Sequence, residues 1–256
     1  MSEQSNLLHF PHPPDVIALL EEGLRAMPPR GDEGSAHASD VVCDRQTWAR
    51  RRGEEMLPHE FRTLMKFELG RQFERGVADI LEAQLTLKGY AVYRDVTTSL
   101  NGVLGHLDLE ATDANPYGWL RPFILEIKST SFLRGKVPEA PSPWYVEQAA
   151  VYATARNIAR FGILVGCRES GKLAPIFWFN LDDQRYDEPQ TWREWAEARA
   201  KELIAVTDPS APMPPAAPRT AWGCKTCPWA GCEKNPAYVD GTIYSKLEES
   251  YAERVK

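Results

Sequence analysis

The feature that most constrains the fold is a change of hydrophobic period at Gly89. Upstream, from Glu60 to Lys88, apolar residues recur at helical spacing (Phe61, Leu64, Met65, Leu69, Phe73, Val77, Ile80, Leu81), and Gly89 marks the stop. Downstream come three strand-like segments, Tyr90–Val96, Val103–Ala111 and Pro122–Lys128. A helix from Trp144 to Asn157 leads to two more strands, Phe161–Cys167 and Ala174–Phe179, and then a helix from Thr191 to Ala205. This order predicts an α/β fold with a mixed central sheet flanked by helices.

The flanks read differently. Residues 1–36 are rich in Pro, Gly and Ser and read as a loosely ordered lead-in, apart from a short apolar stretch near Val16–Leu24. Residues 37–207 form the core. The stretch Asp208–Pro218 holds five prolines in eleven residues and cannot continue a helix, so 208–221 reads as a semi-rigid linker. Residues 222–256 bring a cysteine-rich segment and a charged helix over Tyr238–Val255. A net charge of −6 argues against a protein that coats nucleic acid by bulk electrostatics, although an enzyme with a carboxylate site is acidic by necessity. No apolar run approaches the roughly 20 residues that span a bilayer, and the first residues lack a secretory signal's apolar core. A cytosolic setting is expected, where cysteines serve as ligands or inert core residues rather than disulfides.

Chemistry concentrates in two strands. One reads Gly105-His106-Leu107-Asp108-Leu109-Glu110, the other Phe123-Ile124-Leu125-Glu126-Ile127-Lys128. Side chains at i and i+2 share a strand face, so Glu126 and Lys128 point together while Leu125 and Ile127 enter apolar surroundings. An acid and a lysine on a buried strand are costly without partners. A metal ion held by Asp108 and Glu126, with the Ile127 carbonyl as a further ligand, supplies one. Lys128 is then placed to orient or help deprotonate the attacking water. A plain Glu126–Lys128 salt bridge is the simpler account of Glu-x-Lys taken alone. The surrounding pattern favours the site: Gly70-x-x-x-Glu74 on the first long helix, and Gln148-x-x-x-Tyr152 on one face of the next.

Gly105-x-x-Asp108, Glu126-x-Lys128 and Gln148-x-x-x-Tyr152, in that order, resemble the RecB-like branch of the P-D-(D/E)-x-K nucleases. The resemblance covers roughly residues 60–180. It implies a restriction-endonuclease-like fold in which Asp108 and Glu126 bind Mg²⁺ or Mn²⁺, Lys128 is catalytic, and Gln148 and Tyr152 act near substrate DNA. The family usually carries a metal-binding His four residues after the helix Gly. Glu74 stands in that place and completes the expected metal set of Glu74, Asp108, Glu126 and Ile127. His106 is read as structural.

Three of five cysteines fall close together, as Cys224-x-x-Cys227 and Cys232, flanked by Trp222, Pro228 and Trp229. A tetrahedral site or a cubane cluster wants a fourth sulfur, from Cys43 or Cys167. Cys167 ends an apolar strand and resembles an ordinary buried cysteine, whereas Cys43 sits in a polar setting that suits a ligand. A lone early cysteine and a late C-x-x-C…C group resemble the CRISPR-associated iron–sulfur exonucleases (the Cas-four family) and the nuclease domain of AddB. That resemblance implies a [4Fe–4S] cluster on Cys43, Cys224, Cys227 and Cys232, which clips the end of the chain to an early segment. A four-cysteine zinc site is the alternative.

The expectation is thus a metal-dependent DNA exonuclease acting at single-stranded ends, alongside recombination, repair or CRISPR adaptation proteins and without a membrane. The rival is a non-catalytic DNA-end-binding or assembly protein with structural zinc. Pro143-Trp144-Tyr145 invites base stacking, and packing in the core accounts equally for most of the tryptophans, Trp192 and Trp195 included. Arg45, Arg50, Arg51 and Arg52 read either as a grip on phosphates or as a solvated helix end.

Overall fold

The computed structural model describes residues 16–26, 36–54, 56, 59–130, 138–186, 188–215, 224, 227, 229 and 231–232. The helix expected over Tyr238–Val255 lies outside them, as do Trp222 and Pro228.

The chain runs α1 (Val16–Arg25), a 3₁₀ turn (Ala38–Val42), α2 (Asp44–Arg51), α3 (Phe61–Leu87), β1 (Tyr90–Leu100), β2 (Val103–Asp113), β3 (Phe123–Thr130), α4 (Pro143–Arg156), β4 (Arg160–Cys167), β5 (Phe177–Asn180) and α5 (Trp192–Thr207). The five strands lie in sequence order in one sheet. All neighbours are antiparallel except β3 and β4, which are parallel and joined through α4. The predicted mixed α/β sheet is therefore present.

Local signals explain the boundaries. Pro143 opens α4, where its missing N–H costs nothing, and Asn157 closes it in the left-handed region at φ 52°. Thr191 and Glu194 cap α5 reciprocally: Glu194 N donates to Thr191 Oγ1 at 3.2 Å and Thr191 N to Glu194 Oε2 at 2.9 Å. β1 extends four residues beyond the predicted Val96, because Asn101 and Gly102, at φ 51° and 91°, turn the chain tightly into β2. β5 starts three residues later than predicted, at Phe177. The lead-in carries a helix, α1, over its apolar stretch.

Each face of the sheet buries its own core. Ile124, Phe161, Ile163 and Val165 pack with α4 and α5, whereas Leu125, Ile127 and Leu164 pack beneath α3. β4 is buried along all but its first residue, as expected of a parallel central strand. Trp192 and Trp195 are core residues, with Trp192 packed edge-on against Phe161.

One irregularity falls opposite Asp108. Val92 and Val96 share strand parity yet pack into different cores, and so do Leu107 and Leu109. The crossing falls at Asp95, whose φ is 49°, between the pairs Arg94–Leu109 and Val96–Leu107. Asp108 sits on the facing strand at this point.

Candidate active site

β2 and β3 pair only from Ala111–Phe123 to Leu109–Leu125. Where that ladder ends, the Asp108 carboxylate takes over, and its Oδ2 accepts a hydrogen bond from the Ile127 amide at 2.7 Å. Asp108 is thereby pinned between Glu126 and Lys128 in the chain of β3. Lys128 Nζ forms an ion pair with Glu126 Oε1. Glu126 is 1% exposed, and its other oxygen, Oε2, is buried with no hydrogen-bond partner among the described residues.

Glu74 arrives from α3. Its Oε1 accepts hydrogen bonds from Ser129 N at 3.1 Å and Ser129 Oγ at 3.3 Å. The approach depends on Gly70, one helical turn earlier, where a methyl group would stand 3.0 Å from Ser129 Oγ. The Gly-x-x-x-Glu pattern is thus a close helix-to-strand approach followed by the residue that uses it.

Burial first, then the Asp108 charge, raise the Glu126 carboxyl well above the ordinary carboxylate range, against the pull of Lys128. Burial also raises Glu74, with Lys128 opposing and Asp108 adding to the rise. Burial alone would lower Lys128, but Glu126, Asp108 and Glu74 outweigh it and hold the ammonium above the ordinary lysine range. Three carboxylates therefore act on one another around one ammonium. Among the described residues, no three His, Cys, Asp or Glu side chains stand ready grouped around an ion; the cation against Glu126 is Lys128 itself.

α4 roofs this cluster. Gln148 and Tyr152, one turn apart, are joined by a 2.6 Å hydrogen bond from Gln148 Nε2 to the Tyr152 hydroxyl. Burial raises the Tyr152 hydroxyl pKa, and the Glu126 charge raises it further. The Tyr152 ring lies where a side chain at Gly105 would be, which explains the glycine three residues before Asp108. Tyr145, at the start of α4, holds its ring centroid 5.7 Å from Lys128 Nζ. The structure thus gathers Glu74, Asp108, Glu126, Lys128, Gln148 and Tyr152 at one end of the sheet. His106 turns to other partners, with Nδ1 3.2 Å from Thr97 Oγ1 and the ring stacked on His37.

The cysteines lie elsewhere. Burial raises the Cys227 thiol pKa, and Cys43, Cys232 and Cys224 each add to the rise. The Cys43, Cys232 and Cys224 thiols are therefore each electrostatic neighbours of Cys227, and Cys227 and Cys232 pack beside Ala49, Met56 and Trp229. Cys167 is buried at the end of β4, with Sγ 3.3 Å from Glu169 Oε2.

The arginine stretch has a different use from either predicted one. Arg45 Nε donates to the Pro214 carbonyl at 2.7 Å, and Arg52 Nη2 to those of Asp208, Pro209 and Ala211. Arg50 and Arg51 pair with Asp40. The proline-rich stretch is thus strapped to α2 by side chains offered to its carbonyls.

Two neighbours of the site escaped the sequence reading, Ser129 beneath Glu74 and Arg168 just after β4. Neither has a local pattern. Only the parallel pairing of β3 with β4 foreshadows that Arg168 ends beside Thr130, at the close of β3.

No protein-family profile and no curated protein matches the chain. Among solved structures, one titled as the crystal structure of SSO0001 is similar at a TM-score of 0.50 and 14% identity, over 86% of this chain and 95% of that one. An alkaline exonuclease, LHK-Exo, from Laribacter hongkongensis is similar at a TM-score of 0.44 and 14% identity, over 68% of this chain and 88% of its own. The same exonuclease solved with dAMP gives the same values. The likeness to SSO0001 is one of fold.

Proposed function

We propose that the chain is a divalent-metal-dependent deoxyribonuclease that hydrolyses phosphodiester bonds as an exonuclease at single-stranded DNA ends. One observation carries the reading: the unpartnered, buried oxygen of Glu126 inside a cluster of three carboxylates and one ammonium. Buried charge of that kind is unfavourable without a compensating cation, and Lys128 engages only one of the oxygens. The donors are hard oxygens, which suit Mg²⁺ or Mn²⁺. Glu74, Asp108, Glu126 and the Ile127 carbonyl are the groups that would hold such an ion. Bound there, it supplies Lewis-acid polarisation of a phosphoryl oxygen and lowers the pKa of the attacking water.

The chain's own residues supply position. Lys128, held as an ammonium, orients the attacking water by donating to it. Gln148 and Tyr152, fixed to one another, hold the DNA strand beside the scissile phosphate. The resemblance to RecB-like nucleases supports the choice of DNA and of strand ends.

The four clustered thiols form the second part of the proposal, a structural [4Fe–4S] cluster on Cys43, Cys224, Cys227 and Cys232. The electrostatic nearness of the other three thiols to Cys227 and the early-plus-late cysteine pattern support it. Four thiols are the donor set that such a four-sulfur group takes.

The test is degradation of end-labelled single- and double-stranded DNA with and without divalent metal. Asp108→Asn and Lys128→Ala should each lower the rate by about 10²–10⁴-fold in a protein that stays folded. Near-normal activity in either variant, or undiminished activity in chelator, removes the assignment.

A further inference from the structure

The end of the sheet that carries Lys128 also carries a second cation. β3 and β4 finish side by side, with Thr130 beside Cys167, and Arg168 N closes the pair on Thr130 O at 3.1 Å. The Arg168 side chain turns toward α3, where Nη1 donates to the Lys66 carbonyl at 2.6 Å. A methyl group at Gly70 would stand 3.6 Å from that same Nη1 and 3.0 Å from Ser129 Oγ. Ser129 Oγ in turn rests on Glu74. Arg168 is therefore about one helical turn from the carboxylate cluster, roughly 6 Å along the axis of α3. On its other side it is close enough to Tyr145 to act on that hydroxyl, as Lys128 does.

Among the described residues this guanidinium has no acid partner. Arg94, Arg156, Arg185 and Arg199 are all tied to carboxylates, although the chain's net charge of −6 leaves acids in excess. Among the described residues, the Arg168 side chain makes one hydrogen bond, to a neutral carbonyl, and its remaining N–H donors have no protein acceptor. The Lys66 carbonyl also restrains the side chain, so less rotamer freedom is lost when it takes a ligand. A fixed fork of donors beside a phosphodiester site matches the geometry of a phosphate.

We propose that Arg168 binds a backbone phosphate of the substrate strand flanking the scissile one, so that the strand is held on both sides of the carboxylate cluster. This rests on the nuclease reading above. It makes Arg168 a substrate-binding residue, distinct from the groups that hold the metal.

The experiment uses the full chain carrying Asp108→Asn, which is cleavage-deficient on that reading and retains the Arg168 surroundings. Binding of a fluorescein-labelled single-stranded oligonucleotide is followed by anisotropy across a series of salt concentrations. Adding Arg168→Ala should weaken binding about tenfold or more. It should also reduce the slope of log affinity against log salt by about 0.7, the value of one phosphate contact on a single strand. Arg168→Lys should keep most of that slope. If Arg168→Ala and Arg168→Lys both lower the melting temperature and leave the slope unchanged, Arg168 is only a tie between β4 and α3, and the inference falls. The chain with Asp108 intact separates the two readings: cleavage with an unchanged slope overturns this inference alone, whereas neither cleavage nor binding overturns both.

Discussion

At Gly105 any side chain would overlap the ring of Tyr152. Gly105→Ala must therefore drive Tyr152 from its rotamer or push α4 off β2, at about 1–3 kcal/mol of stability. Because Tyr152 is bonded to Gln148, the pair moves together. DNA cleavage should fall more than thermal stability explains, and Tyr152→Phe, which keeps the ring, should melt closer to the parent. The carboxylates allow a second prediction at this scale. Glu126 and Glu74 are both held above the ordinary carboxylate range, so the fold favours their protonated forms. Their contribution to the stability of the metal-free protein is present at low pH and is lost as pH rises through the raised values. Lys128, raised above the lysine range, keeps its contribution across the same window. A divalent ion needs both acids ionised. Melts in chelator should show stability falling from about pH 5 to about pH 8, with stabilisation by Mg²⁺ growing over that interval. Glu126→Gln should reduce both trends; identical profiles for the two proteins would sink the argument.

At the scale of elements, the strap on α2 gives the sharpest expectation. Arg52 serves three carbonyls of 208–211, Trp48 Nε1 donates to Ala211 O at 3.0 Å, and the Arg52 guanidinium stacks 4.2 Å from the Trp48 ring centroid. Arg52→Ala should cost about 1–2 kcal/mol and make 208–215 the first site of limited proteolysis, seen as a fragment ending there. Unchanged protease resistance would show that the stretch is held by other means. The strap also marks what the sequence could carry. Asp108, Glu126 and Lys128 were legible because strand periodicity is local and two-residue spacing decides a face. The end of β1 had a local signal too, in Asn101-Gly102, which the periodicity of Tyr90–Val96 obscured. The arginines had none. The acceptors of Arg45 and Arg52 are carbonyls more than 150 residues away, and backbone oxygens leave no trace in residue identity. Arg168 and Ser129 were hidden for the same reason, since the parallel pairing that places them forms only through the α4 crossover. The kink at Asp95 was equally unreadable, because a left-handed aspartate looks like any other in the sequence.

At the scale of the molecule, the early segment and the late one meet twice on α2, once through the proline-rich strap and once through the cysteines. Cys43 is the N-cap residue of α2, and Met56 bridges to Trp229 beside Cys232. About 180 residues, including all five described strands, lie between Cys43 and Cys224, so a group that joins their thiols closes that core into one loop. Closing a loop of that length restricts the unfolded chain and stabilises the fold, by about 5 kcal/mol on the scale of a covalent cross-link. If the proposed cluster is bound, Cys43→Ala, Cys224→Ala, Cys227→Ala and Cys232→Ala should each lose iron and its brown colour and lower the melting temperature. Cys167→Ala should keep its iron, because Cys167 ends β4 and packs in the sheet. Iron lost from Cys167→Ala but kept in Cys43→Ala would overturn the ligand set, and colourless protein containing stoichiometric zinc would replace the cluster with a zinc site on the same four thiols. The carboxylate site supplies the remaining contrast. Asp108→Asn leaves the Ile127 amide an acceptor in the asparagine oxygen, so it should retain both iron and melting temperature while losing cleavage. Parallel loss of iron and activity in that variant would mean that the two sites are not independent.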